Sequence, residues 1–331
     1  MSEGAPEVAP EWQVWAAENL LRGVAPSEIE AGLVARGVDE CLARETIAKL
    51  ASSPFVEAAQ PMLRDARRFA MLAKMHERLE RAAAHPTEIE RRDAPSASVF
   101  FDTYYAGGRP VILRGIVDRW PAFRDWTFAA LRERVGDAEV LVTVDRDDDP
   151  LYGATFQRRT ETWTMRTLVD RIAETTESND FYLVAQCKAL QGPLAALVAD
   201  IVMPDGWMKR EKLATEASLW MGPAGTLTRL HHDFKPLLTC QVRGRKRWRL
   251  IPPTERALLE RIRMSHTTLD PETDPLEGVL VKDVIVEEGE ALFVPAGWWH
   301  HVRALDPAIT VSLAAWPRDA IEMPFLQLGR R

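Results

Sequence analysis

What this sequence lacks narrows its function early. Cysteine appears three times in 331 residues, at Cys41, Cys187 and Cys240, far apart and odd in number. That spacing rules out a disulfide frame and suits small core residues in a reducing compartment. No stretch reaches the roughly 18 apolar residues that a membrane span needs. The first residues, MSEGAPEVAPEWQ, have neither a basic start nor an apolar run, so no secretory signal is read there and a cytoplasmic location is expected. There is no excess of positive charge. The net charge of −7 argues against a general nucleic-acid binder. No repeat of fixed period and no low-complexity tract is present. Histidine is scarce, at seven residues, and this scarcity makes its clustering informative.

What is present divides in two. Residues 1–9 are small, acidic and expected to fray. From 10 to about 84 the texture is helical. EWQVWAAENLLRG stops at Gly23, and APSEIEAGLVARG opens with Ser27 and Glu30 at capping-box spacing. DECLARETIAKLASS ends before Pro54, and Pro54 and Pro61 punctuate the entry to the long run MLRDARRFAMLAKMHERLERAAA. This reads as a helical module over 1–90, expected to pack on the rest or to form a homodimer, with direct substrate binding as the alternative. Residues 91–331 form the main domain. RPVILRGIV, EVLVTV and DFYLVAQ are strand signals, and TFAALRERVG is a short helix. From about 216, short β-runs alternate with Gly/Pro turns, the mark of a mainly β sandwich or barrel.

Four of the seven histidines fall in two of these β-runs, TRLHHDF and PAGWWHHVRAL. The others are His76 and His85 in the helical module and His266 in a polar loop. On a strand, His231 and Asp233 share a face and His232 points away. An imidazole and a carboxylate so placed can reach one metal from the same side. A third ligand must come from a neighbouring strand, and the 300/301 pair offers one. Two histidines and one carboxylate leave three positions of an octahedral metal open, the arrangement of non-haem Fe(II) oxygenases. The doublet His300–His301 must split across the two faces of its strand, so at most one can join. Trp298 and Trp299 either wall the site or pack in the core.

RGRKRWRL concentrates charge, with five basic residues in 243–249. Read as a hairpin turning at Arg243–Gly244, its second strand puts Arg245, Arg247 and Arg249 on one face, a solvated, edge-protecting face. Lys246 then lies in line with Trp248 and Leu250 on the apolar face. A cation there needs an anion, and the distal carboxylate of a 2-oxo acid would serve.

Taken together, GPAGTLTRLHHD, LLTCQVRGRKRWRLIPP and GEALFVPAGWWHHVRALDPAITVS resemble the JmjC/cupin-like Fe(II)- and 2-oxoglutarate-dependent oxygenases. The subgroup is the cupin-like proteins related to the asparaginyl hydroxylase that inhibits hypoxia-inducible factor. The resemblance covers roughly residues 95–318. It implies a double-stranded β-helix (cupin or jelly-roll) core behind the α-helical module. It implies Fe(II), 2-oxoglutarate and O2 as cofactor and co-substrates, with His231, Asp233 and His300 as the metal ligands. Lys246 would bind the 2-oxoglutarate C5 carboxylate, helped by Thr228, three residues before the first ligand. Simple alternation puts Thr228 on the wrong face, and a bulge after GPAG would restore it. The family's cofactor-binding tyrosine falls in DFYLVAQ at Val184. Tyr182, two residues earlier on the same face, is the candidate, and Gln186 shares that face. Two asparagines of the asparaginyl hydroxylase correspond to Leu237 and Ala314, neither of which can donate a hydrogen bond. The expected activity is hydroxylation of a C–H bond, on a protein or peptide side chain first and on a small molecule second. A non-enzymatic cupin-type sensor is the rival reading. No nucleic-acid or membrane partner is expected.

Overall fold

The computed structural model describes residues 7–147, 159–259 and 269–317. His266 and the first six residues lie outside this range. Contacts divide the chain into two compact units, Met1–His76 and Glu77–Arg331.

In the first unit, α1 (Pro10–Arg22), α2 (Pro26–Val34) and α3 (Glu40–Ala51) close around Ala16, Leu20, Ile29, Leu33, Ala43 and Ile47. Gly23 ends α1 with φ +85°, a left-handed conformation that glycine adopts without strain. Asp39 caps α3 by accepting from the Leu42 amide at 3.1 Å. The capping box expected at Ser27 does not form. Ala25 is the cap of α2 and Pro26 takes the first helical position, so Ser27 is already inside the helix. Pro61 does not break the next helix either. α4 runs unbroken from Pro54 to Arg81 with Pro61 inside it. Glu57 and Pro61 are both exposed, so the carbonyl that proline leaves without a donor faces water.

The second unit is a double-stranded β-helix. Its strands are β1 (Glu90–Asp93), β2 (Val111–Arg114), β3 (Glu139–Thr143), β4 (Thr160–Thr164), β5 (Ala217–Gly222) and β6 (Leu227–His232). Then come β7 (Leu237–Arg243), β8 (Lys246–Ile251), β9 (Lys282–Val286), β10 (Ala291–Val294), β11 (Trp299–Ala304) and β12 (Ala308–Leu313). One sheet has the order β1-β2-β10-β7-β12-β5, and the facing sheet has β6-β11-β8-β9. β3 and β4 pair separately. Ile112, Trp248, Leu250, Leu292, Val294 and Val302 pack together in the β core. A larger cluster joins Leu238, Cys240, Val242, Ile309, Val311 and Leu313 to the helical elements, including Trp126 and Leu168. The inner strands β10, β7 and β12 of the six-stranded sheet are thus buried on both faces, which is why β7 and β12 read as mostly apolar runs.

Three expectations are corrected here. Residues 237–251 are not a hairpin: β7 belongs to one sheet and β8 to the other. Gly244, at φ +69°, turns the chain from sheet to sheet. Strand alternation carries no information about which sheet a strand joins. β8 is also not an edge strand, since it pairs β11 on one side and β9 on the other. DFYLVAQ is not a full strand. Tyr182 and Leu183 make single bridges to Thr143 and Met221, and residues 185–187 then turn as a 3-10 helix that leaves Gln186 exposed.

Candidate metal centre

β6 and β11 run antiparallel and place His231 directly opposite His300. Their ring centroids are 4.2 Å apart. Asp233 follows the last residue of β6, where the Gly297 amide donates to its carbonyl at 2.8 Å. One nitrogen from each ring and one Asp233 oxygen all lie within 4.8 Å of each other. Among the described residues this is the one cluster of three or more such groups.

The hydrogen bonds set the chemistry of the rings. His231 Nδ1 donates to the Arg229 carbonyl at 2.8 Å, and His300 Nδ1 donates to the Trp298 carbonyl at 3.0 Å. A carbonyl can only accept, so each Nδ1 carries the proton and each Nε2 keeps its lone pair. The Nε2 atoms of His231 and His300 lie 4.0 and 3.6 Å from the Asp233 oxygens, too far for a hydrogen bond but suited to sharing a cation. Burial, with the neighbouring His300 ring, pushes His231 down to about 4, and burial lowers His300 as well. Both rings are therefore neutral at pH 7, the form that binds a metal. The donor set fits the Fe(II) that the resemblance implies.

The second histidine of each doublet faces elsewhere. His232 packs edge-on against Trp299 at 4.6 Å and Phe234 at 5.2 Å. His301 is 1% exposed, with Nε2 3.4 Å from Asp270 Oδ1.

Lys246 opens β8 opposite Ala304 and is 3% exposed, so its ammonium does not reach water. Nζ donates to the Tyr182 hydroxyl at 2.8 Å. Burial pushes Lys246 down to about 7. Tyr182 is held by a reciprocal backbone pair with Thr143, at 2.9 and 3.0 Å. Thr228 also lines the pocket. The bulge that brings it there lies within β6. Between the pairs His231–His300 and Thr228–Val302, two residues of β6, Arg229 and Leu230, oppose the single residue His301 of β11. The extra residue resets the alternation and returns Thr228 to the face of His231.

One pocket is lined by Tyr182, Thr228, His231, Asp233, Lys246 and His300, so all six expected site residues meet. Its walls are Trp220, Leu237, Trp248, Val302, Thr310 and Ser312. Trp298 and Trp299 are not among them. Trp298 sits in the β core with Nε1 bonded to the Gly108 carbonyl, and Trp299 packs on Leu230, Ile251 and Leu258. The sequence reading passed over Trp220, Thr310 and Ser312. The signal was two hydroxyls at alternate positions of the otherwise apolar run AITVSL. Leu237 does line the pocket. Next to it, Trp220 Nε1 donates to Ser312 Oγ at 3.1 Å, so the serine keeps its own proton to donate.

The solvated face expected for Arg245, Arg247 and Arg249 holds at Arg245, which is exposed, and in part at Arg247, and fails at Arg249. Arg249, 8% exposed, meets Glu272 at 2.6 Å and Asp283 at 3.2 Å. Arg247 pairs with Asp283 and Arg245 with Asp306. Each guanidinium of the stripe thus has a carboxylate partner. Among the described residues no helix is long and apolar enough to cross a membrane.

The family model for the cupin-like domain matches residues 96–320. Jumonji C domain-containing protein 5 of Drosophila melanogaster is 29% identical over 239 residues, covering 68% of this chain and 59% of the fly protein. Lysine-specific demethylase JMJ30 of Arabidopsis thaliana is 30% identical over 247 residues, 70% of this chain and 55% of the plant protein. The human bifunctional peptidase and (3S)-lysyl hydroxylase JMJD7 is 26% identical over 264 residues, 69% of this chain and 84% of the human protein. The chain thus spans little more than half the length of several relatives it matches. With the matched region enclosing every strand but β1 and all of the pocket, the chain belongs to the cupin-like, JmjC-type family of Fe(II)- and 2-oxoglutarate-dependent oxygenases.

Proposed function

We propose that this protein is an Fe(II)- and 2-oxoglutarate-dependent hydroxylase acting on a protein or peptide side chain. The observation that carries the reading is one pocket holding both the His231–Asp233–His300 cluster and the buried Lys246–Tyr182 pair. A metal scaffold alone has no use for a buried ammonium without a carboxylate, whereas a 2-oxo acid supplies the missing charge.

His231, Asp233 and His300 would hold the iron on one side. When bound, iron with 2-oxoglutarate and O2 supplies the oxidising power for C–H hydroxylation, the oxo acid leaving as succinate and CO2. The chain's own part is geometric and electrostatic. Lys246 draws the distal carboxylate inward. The Tyr182 and Thr228 hydroxyls can share it. Trp220, Trp248 and Val302 keep the walls dry, so these polar contacts act in a medium of low dielectric. Ser312 offers a hydroxyl on the wall where Leu237 offers none.

The choice of a protein side chain rests on the relatives' names, one a lysyl hydroxylase and others lysine-specific demethylases. The test is a succinate-release assay with Fe(II) and fractionated host lysate, followed by mass mapping of peptides. A gain of one oxygen atom supports the proposal. Methyl loss with formaldehyde would make the protein a demethylase, and oxygen gained only by a small molecule would move the substrate class. No turnover of 2-oxoglutarate by protein loaded with Fe(II) would sink the proposal and leave a sensor.

A further inference from the structure

α4 stands apart from every other long element. Val56 is the one buried side chain of this 28-residue helix. Yet Met62, Phe69, Leu72 and Leu79 are 46–73% exposed. An apolar stripe so open marks an interaction surface. Its spacing is specific. Met62, Phe69 and His76 recur every seven residues, and Asp65, Leu72 and Leu79 recur at the offset of the second seam position of a coiled coil. Phe55, 86% exposed, lies seven residues before Met62 on the same stripe, with Pro61 between them.

We propose that α4 pairs antiparallel with α4 of a second copy of this chain. The seam complements itself in that direction. With the two-fold axis near Ala70 and Met71, Met62 of one copy meets Leu79 of the other, and Phe69 meets Leu72. The two polar seam residues then meet each other, Asp65 against His76, and a carboxylate faces an imidazole twice. A parallel pair sets Asp65 against Asp65 and His76 against His76. On the flanks Ala66 meets Ala73 and Arg68 meets Met75, so no like charges oppose. Arg68, 3.6 Å from Asp65 on its own helix, stays as an outer partner. The two-fold relation makes both copies contribute the same patch, as a closed dimer requires. The exposed seam residues Met62, Phe69, Leu72 and Leu79 with the flanking Met75 offer roughly 100 Å² apiece, or about 500 Å² per copy before arginine stems are added, the greater part of the ~800 Å² of a stable interface.

The full-length chain should sediment as a dimer at tens of micromolar. Phe69→Glu with Leu72→Glu should give a monomer with unchanged circular dichroism, because both side chains are exposed. Orientation is read by cross-linking in a Cys41→Ser background. Chains carrying Phe69→Cys should form a disulfide with chains carrying Leu72→Cys, and neither should cross-link with itself. His76→Asp alone should weaken the dimer at least severalfold, and adding Asp65→His should restore it. A wild-type chain that stays monomeric, a dimer indifferent to the two glutamates, or cysteine variants that each cross-link with themselves would overturn the proposal. So would a monomer that instead sediments with anionic vesicles.

Discussion

The two faces of β8 differ by one residue in register and completely in chemistry. On the face of the pocket, Lys246 is one buried cation whose close polar partner is a hydroxyl. On the other face, Arg245, Arg247 and Arg249 each meet a carboxylate within 3.2 Å. β11 splits its doublet by face as well, His300 lining the pocket and His301 turning away from it toward Asp270. A buried cation already matched by a carboxylate is complete as a structural element. A buried cation matched by a hydroxyl is incomplete until an anion arrives. The difference separates ligand-binding groups from structural ones more sharply than residue type does.

The histidine doublet gives the largest test of this contrast. His300→Ala should abolish iron binding and lower succinate formation by at least ~1,000-fold, since one of three ligands and its charge-stabilising role vanish together. His301→Ala should keep the metal stoichiometry near wild type and show its effect in Tm instead. Metal content by plasma emission and the assay above read both. If His301→Ala empties the site while His300→Ala does not, the assignment of faces is wrong.

Lys246→Met comes next. It removes the one cation that lines the pocket among the described residues, so the KM for 2-oxoglutarate should rise about 100-fold, corresponding to ~3 kcal/mol for a buried charged hydrogen bond. The pH dependence has a definite sign. Burial lowers Lys246 to about 7, so above pH 7 the empty pocket holds a neutral amine. The anion must then bind together with a proton, and affinity should fall up to about tenfold per pH unit above 7 while staying flat below it. Titration calorimetry in two buffers of different ionisation enthalpy measures that proton. Uptake that persists in Lys246→Met would assign it to another group. The ligand-free variant should be no less stable than wild type below pH 7, where the wild type buries a charge.

The same contrast explains what could be read before the fold was seen. Alternation along a strand splits His300 from His301 and Lys246 from its arginines, because the period of two is a local property of extended backbone. It fails for Thr228, since the bulge at Arg229 and Leu230 is a matter of pairing with β11 and leaves no mark in composition. It fails again for 237–251, where turn chemistry marks a reversal but not the sheet that receives the next strand. Trp298 and Trp299 show a third limit. Position beside a ligand places neither in the pocket, while Trp220 and Trp248 reach it from other strands. The carboxylates Glu272 and Asp283, which turn the arginine stripe into a network, come from distant sequence and are supplied by tertiary structure alone.

The opposite face of β8 should respond in stability instead of activity. Glu272 is bonded to both Arg249 and Arg303 at 2.6 Å. Burial alone would raise its carboxyl, but the two guanidiniums hold it below the ordinary value. Glu272→Gln keeps the shape and removes the charge, and should destabilise the fold by about 1–3 kcal/mol. A carboxyl lowered in the folded state contributes its stability above the usual carboxylate range and loses it as pH falls through the folded value. The difference between wild type and Glu272→Gln should therefore shrink in acid. Denaturant titrations at neutral and acid pH measure it, and 2-oxoglutarate affinity should not move.

Tyr182→Phe carries the smallest expected effect and the finest distinction. Its hydroxyl lies 2.8 Å from Lys246 Nζ, and its ring packs with Val184, Cys187 and Trp220. Phenylalanine keeps the packing and removes one neutral hydrogen bond. If the hydroxyl only steadies the lysine, the loss is about 1 kcal/mol, and the KM for 2-oxoglutarate should rise roughly fivefold with kcat unchanged. If it also touches the bound carboxylate, Tyr182→Phe and Thr228→Val should lower affinity by more together than the two separately, because each hydroxyl can partly replace the other on the same oxygens. A double-mutant cycle on 2-oxoglutarate affinity measures the coupling. Strict additivity would confine Tyr182 to holding Lys246 and leave Thr228 as the hydroxyl that meets the anion.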